Sequence, residues 1–183
     1  MKEAIHALKY DRLYPASRRL GGMLAQVIAQ MAAEAPGELL VVPVPLHRSR
    51  HAQRGFNQAR LLAAGALTVL RRTHPEWRLT LAPGMLVRHR ATESQAGLTP
   101  RQRRHNLRGA FRVADPRAVA GKDVLVIDDI LTTGATARAA AQALLRAGAA
   151  SVRVATLARA RRAGTVQQPQ ERMHLSASQS SFL

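Results

Sequence analysis

Four consecutive apolar β-formers, Val124 to Ile127, run straight into Asp128 and Asp129, then into Thr132, Thr133 and Gly134, and then into an alanine-rich segment. That succession leaves little choice of local structure. Val124 to Ile127 is short, continuous and bounded by charge, which is the pattern of a strand buried on both faces of a parallel sheet. After Ala137, the apolar residues Ala140, Ala141, Leu144 and Leu145 recur at helical spacing, and Gly148 stands where a C-terminal cap belongs. The expected unit is a strand, a tight turn and a helix.

Such a turn carries its own chemistry. The first backbone N–H groups of a helix have no partner within it and sit at the positive end of its dipole, so a phosphate placed there accepts several hydrogen bonds. Gly134 lets the backbone come close. Thr132, Thr133 and Thr136 add hydroxyl donors without adding charge. Asp128 and Asp129 need another counterpart, because carboxylates repel phosphate; sugar hydroxyls or a metal ion supply it. A ribose 5-phosphate meets both requirements. Capping alone does not call for two acids and three threonines together. A Walker P-loop is excluded by the missing Gly-Lys-Ser/Thr ending, and Gly-x-Gly-x-x-Gly is absent too.

The rest of the chain repeats the alternation. Leu20, Met23, Leu24, Val27, Ile28 and Met31 trace one face of a helix that Ser17 is placed to cap. Glu38 to Pro45 reads as a second buried strand, and Asn57 caps a helix reaching about Leu70. Thr80 to Val87 reads as a further strand, Thr99-Pro100 as the start of a short helix ending near Gly109, and Val152 to Leu157 as the last strand. Alternating strands and helices imply an α/β domain with a mainly parallel sheet, whose ligands sit beyond the carboxyl ends of the strands. Residues 1–163 form one such domain in this reading. From Gly164 to Leu183 the sequence is rich in Gln, Ser and Arg without apolar period, so a disordered tail is expected.

The 183 residues carry 28 basic and 11 acidic side chains, a net charge of +17, and nearly all the bases are Arg. Arg forks match phosphates, so a polyphosphate sugar or a nucleic acid strand fits such a surface. A chain rich in Ala and Arg and poor in Lys is equally what a GC-rich genome encodes. No apolar run reaches the roughly 18 residues that span a bilayer, and the start lacks an apolar leader core, so a cytoplasmic location is expected.

The run from Asp128 to Thr136 resembles the signature of type I phosphoribosyltransferases, in which paired acids precede a Thr-Thr-Gly-x-Thr loop. Other segments are similar to the ComF/GntX-like branch of that superfamily: Ala4 to Tyr10, Val42 to His47, Gln53 to Gln58, Arg88 to Leu98 and Arg104 to Phe111. The chain departs from that branch in having no Cys, so the N-terminal four-cysteine zinc module common in it does not transfer.

The resemblance implies a type I phosphoribosyltransferase fold that binds phosphoribosyl pyrophosphate, or a related sugar phosphate, with Mg²⁺. The metal is held mainly through the substrate rather than by direct protein ligands. Asp128 and Asp129 would be the catalytic carboxylates, and Ile130, Leu131, Thr132, Thr133, Gly134, Ala135 and Thr136 the 5-phosphate loop. Leu46, His47, Arg48 and Arg54 are candidates for the pyrophosphate loop, and Arg90 and Gln95 for a flexible lid. With aromatics at only 3% of the chain, no acceptor pocket can be named; Phe56 and Phe111 read as core packing rather than stacking partners. Transfer of the phosphoribosyl group to an acceptor is one expected function. The alternative is a non-catalytic sensor of the sugar phosphate, or a competence protein associated with single-stranded DNA. A homodimer is compatible with either.

Overall fold

The computed structural model describes residues 14–31, 38–46, 55–89, 99, 102, 106–107 and 109–159, and among these described residues apolar runs and periodic faces become nine elements. In chain order these are α1 (Tyr14–Met31), β1 (Glu38–Pro43), α2 (Gln58–Thr73), β2 (Arg78–Leu81), β3 (Leu86–Arg88), β4 (Phe111–Val113), β5 (Asp123–Leu131), α3 (Ala135–Arg146) and β6 (Ser151–Arg159). The first and last segments read from the sequence, Ala4 to Tyr10 and Gly164 to Leu183, lie outside the described residues.

β2, β1, β5 and β6 form one sheet in that order, and every pairing in it is parallel. Residues alternate between its two faces. Leu125 and Ile127 pack with α1 and α2 residues such as Leu24, Ile28, Leu62 and Leu70. Val124 and Val126 pack with Leu86, Phe111, Ala140 and Leu144 on the other side. All four strand residues are 2% exposed or less, so β5 is the buried centre that its unbroken apolar run implied. Burying each such side chain stabilises the fold by about 1.5–3 kcal/mol.

Helix ends follow local chemistry. Asn57 caps α2 as expected, its Oδ1 accepting from the Arg60 N–H at 3.3 Å. After α3, Gly148 takes φ 94° and the Ala149 N–H reaches back to the Leu144 carbonyl at 3.2 Å, closing the helix where the sequence placed its cap. Thr99 and Gln102 form a reciprocal capping pair: the Gln102 N–H donates to Thr99 Oγ1 at 3.3 Å, and Gln102 Oε1 accepts from the Thr99 N–H at 2.8 Å.

Several boundaries differ from the sequence reading; β1, for one, ends at Pro43 rather than Pro45, and β6 spans Ser151–Arg159 rather than Val152 to Leu157. α1 starts at Tyr14, so Ser17 lies inside the helix rather than capping it. The expected strand from Thr80 to Val87 is two strands, because Pro83 and Gly84 turn the chain between them: β2 joins the parallel sheet, while β3 pairs antiparallel with β4. β5 runs from Asp123 to Leu131, beyond the apolar core, because β6 continues to pair with it as far as Leu131↔Arg159.

Candidate functional site

The extension of β5 carries both acids on the strand itself. Asp128 lies opposite Thr156, and Ile130 and Leu131 lie opposite Ala158 and Arg159. Ile130 and Leu131 therefore belong to the strand, and the turn proper is Thr132 to Gly134. Each half-buried carboxylate accepts a backbone N–H: Asp128 Oδ1 from Asp129 at 2.9 Å and Asp129 Oδ1 from Ile130 at 2.8 Å. These bonds fix one oxygen of each acid against its own backbone.

Past the turn, Gly134 opens α3 in the left-handed region, at φ 72° and ψ 7°. Two features then coincide. The helix has no side-chain cap and no acid in its first turn, although Ala135 and Ala137 there are only 5% and 8% exposed. The helix start thus keeps its positive potential, and its first N–H groups have no partner within the helix. Beside it, Thr133 Oγ1 is sealed from solvent without a hydrogen-bond partner. A buried, unbonded hydroxyl is costly enough to need a reason, and an anion at this turn supplies one.

The adjoining strand brings a second helix start to the same edge. The Val44 N–H donates to the Ile127 carbonyl at 2.8 Å, placing the end of β1 beside the residue before Asp128. Asn57 Nδ2 then donates to the Val44 carbonyl at 3.0 Å, which fastens the start of α2 to that strand end. Leu46 follows β1 and is half-buried. His47, Arg48 and Arg54, the other expected pyrophosphate contacts, lie outside the described residues, as do Arg90 and Gln95 of the expected lid.

Gln58 closes the segment Gln53 to Gln58 and carries no role in the sequence reading. It is 2% exposed and begins α2. Its signal was a polar side chain directly after an N-cap, at a helix start that faces the core. Phe111 is buried in the second cluster, with the Arg88 guanidinium 5.8 Å from its ring centroid, so it packs rather than presents a free face.

Charges at the opposite end of the sheet are structural. Glu38 and Asp123 stand at the starts of β1 and β5, where Lys122 Nζ lies 2.7 Å from Glu38 Oε1 and the Ser151 hydroxyl donates to Asp123. The Lys122 hydrogen bond and charge hold the Glu38 carboxyl below the usual carboxylate range. No helix among the described residues is long and apolar enough to cross a membrane.

Residues 62–175, which include the whole Asp128 to Thr136 turn, match the phosphoribosyl transferase domain family. The chain is 38% identical over 158 residues to the DNA utilization protein YhgH of Escherichia coli O157:H7, covering 85% of this chain and 65% of that protein. It is 32% identical over 121 residues to competence protein F of Haemophilus influenzae, covering 66% and 50%. The chain thus spans about two thirds or less of the length of these relatives. A hypoxanthine phosphoribosyltransferase from Staphylococcus aureus superposes with a TM-score of 0.47 at 15% identity, over 76% of this chain and 62% of that one.

Proposed function

Because the chain belongs to the phosphoribosyl transferase domain family, as a ComF-like member with the type I fold, we propose that it binds phosphoribosyl pyrophosphate with Mg²⁺ and transfers the phosphoribosyl group to an acceptor. The observation that carries this reading is the uncapped start of α3, with the sealed hydroxyl of Thr133 beside it and two carboxylates one turn away on β5.

In this reading the N–H groups at the start of α3 and the Thr132, Thr133 and Thr136 hydroxyls take the 5-phosphate. Asp128 and Asp129 accept the ribose hydroxyls. Breaking the bond from C1 to pyrophosphate builds positive charge on the ring and negative charge on the leaving group, as in glycoside cleavage. The carboxylates offset the first. Leu46, His47, Arg48 and Arg54 donate to the second. By the family resemblance Arg90 and Gln95, which lie outside the described residues, would serve as the lid that excludes water.

The site fits Mg²⁺ held mainly through the substrate: Asp128 and Asp129, each already accepting one backbone N–H, hold the ribose hydroxyls, and the substrate's own oxygens supply most of the ion's ligands. When bound, the ion neutralises charge on the leaving pyrophosphate.

The deciding experiment measures pyrophosphate release across a panel of bases, amines and oligonucleotides. Release with one acceptor class establishes transfer. A blank panel favours the second reading, a sugar-phosphate sensor or a single-stranded-DNA-associated competence role. Two facts support that reading: the names of the relatives and the net charge of +17. Under it, DNA binding falls steeply with salt and survives Asp128→Ala, because phosphate contacts release counterions while the sugar site plays no part.

A further inference from the structure

The buried set of the described residues is apolar apart from Gln58, which is 2% exposed at the first position of α2. Its Nε2 is sealed from solvent and has no hydrogen-bond partner. Folding tolerates such a donor poorly: burying an unbonded amide forfeits its bonds to water and gains nothing in return. An apolar residue of similar shape would sit there at lower cost. The position is also not remote, because Asn57 binds the Val44 carbonyl and the Val44 N–H binds the Ile127 carbonyl, so two hydrogen bonds link the start of α2 to the residue before Asp128.

We propose that Gln58 is a ligand-binding residue of this site, whose amide N–H donates to an oxygen of the pyrophosphoryl group on the sugar. The inference rests on the donor-binding reading above and goes beyond it by assigning a residue and an end of the ligand. With the 5-phosphate at the start of α3, the ring lies over Asp128 and Asp129. What reaches the neighbouring strand end, about 4.8 Å across the sheet, is the substituent on C1. The side chain's own bonds let the amide swing from its sealed position to the ligand.

A neutral amide suits this task better than a cation. It lodges in an apolar wall while the site is empty at a fraction of the cost of a buried charge, and it still donates to an anion that arrives. α2 has no acid in its first turn, so its dipole adds to the attraction there. The competing explanation is a buried water that satisfies Nε2 permanently, which would make Gln58 a structural residue indifferent to ligand.

The test uses the full chain and its Gln58→Met variant, which keeps an unbranched side chain and removes the donor. Calorimetry is run with phosphoribosyl pyrophosphate and Mg²⁺, inorganic pyrophosphate and ribose 5-phosphate, and thermal denaturation is run without ligand. Binding of the first two weakens about tenfold or more, the worth of one hydrogen bond to a charged group, while ribose 5-phosphate binds as before. The variant's Tm is equal to or above that of the parent.

Unchanged affinity for the first two ligands, or an equal loss for all three, overturns the proposal. Should the Met variant not fold, Gln58→Glu decides: it keeps the shape but presents an acceptor to the pyrophosphate, so affinity falls at least as far, and parental affinity overturns the proposal. A parent chain that binds none of the three sinks the donor reading itself, whereas a binding parent with an indifferent variant sinks only the role of Gln58.

Discussion

A methyl group added at Gly21 should loosen the packing of α1 on α2 measurably. A Cβ there would lie 2.8 Å from both the Cα and the carbonyl carbon of Gly65 and 3.0 Å from the Ala66 nitrogen. These are backbone atoms in a helix, so no side chain can rotate away, and the helices must separate by several tenths of an ångström. Leu24, Ile28, Leu62 and Leu70 share one cluster along that seam and lose contact as it opens. Overpacking of this kind costs about 1–3 kcal/mol, and replacing a helical Gly by Ala returns up to about 1 kcal/mol. The net loss is about 0–2 kcal/mol, a fall in Tm of up to roughly 8 °C for a chain of this size. Gly22→Ala is the internal control: a Cβ there meets nothing within 4 Å, so only the helix gain remains and Tm rises by roughly 2–4 °C. Thermal denaturation followed by far-ultraviolet circular dichroism reads both. If Gly21→Ala proves as stable as Gly22→Ala, the close helix crossing is wrong.

Two further outcomes follow from single groups. Thr133→Val replaces a sealed, unpartnered hydroxyl by a methyl of the same shape, so the ligand-free protein gains about 1 kcal/mol, while calorimetry with ribose 5-phosphate shows binding about tenfold weaker; lower stability with unchanged binding would count against an anion at this turn. Glu38→Gln lowers Tm slightly at neutral pH. Because the Glu38 carboxyl is held low in the folded chain, its contribution is present above the unfolded carboxylate range and is lost as pH falls through the folded value; the gap between variant and parent therefore closes in acid and shrinks with salt, and a gap constant in pH would refute the pairing with Lys122.

Where side-chain pattern alone decides the structure, the sequence was legible. Val124 to Ile127 had to be buried on both faces and is, and Asn57 and Gly148 end their helices for the reasons their chemistry supplies. The acids and the Thr-Thr-Gly turn could be placed at the carboxyl edge of a parallel sheet because a strand-to-helix unit has only one such edge. Pairing partners were not legible. Nothing in Asp128 to Leu131 itself says that β6 carries the strand onward, and nothing in Leu86 to Arg88 says that it leaves the main sheet for Phe111 to Val113. Both depend on contacts distant in sequence. Gln58 escaped notice for a related reason: a polar residue at a helix start reads as solvated unless the direction of the helix is known. The expected contacts at His47, Arg48, Arg54, Arg90 and Gln95 stay as the sequence left them, outside the described residues.

In the proposed reading the acid pair on β5 and the uncapped start of α3 hold one phosphorylated sugar between them. Calorimetric titration of phosphoribosyl pyrophosphate with Mg²⁺ into the parent chain and into the Asp128→Asn, Asp129→Asn double variant decides it. The parent binds, and a double variant that remains folded by circular dichroism does not; equal affinity in the two proteins would rule out the shared site.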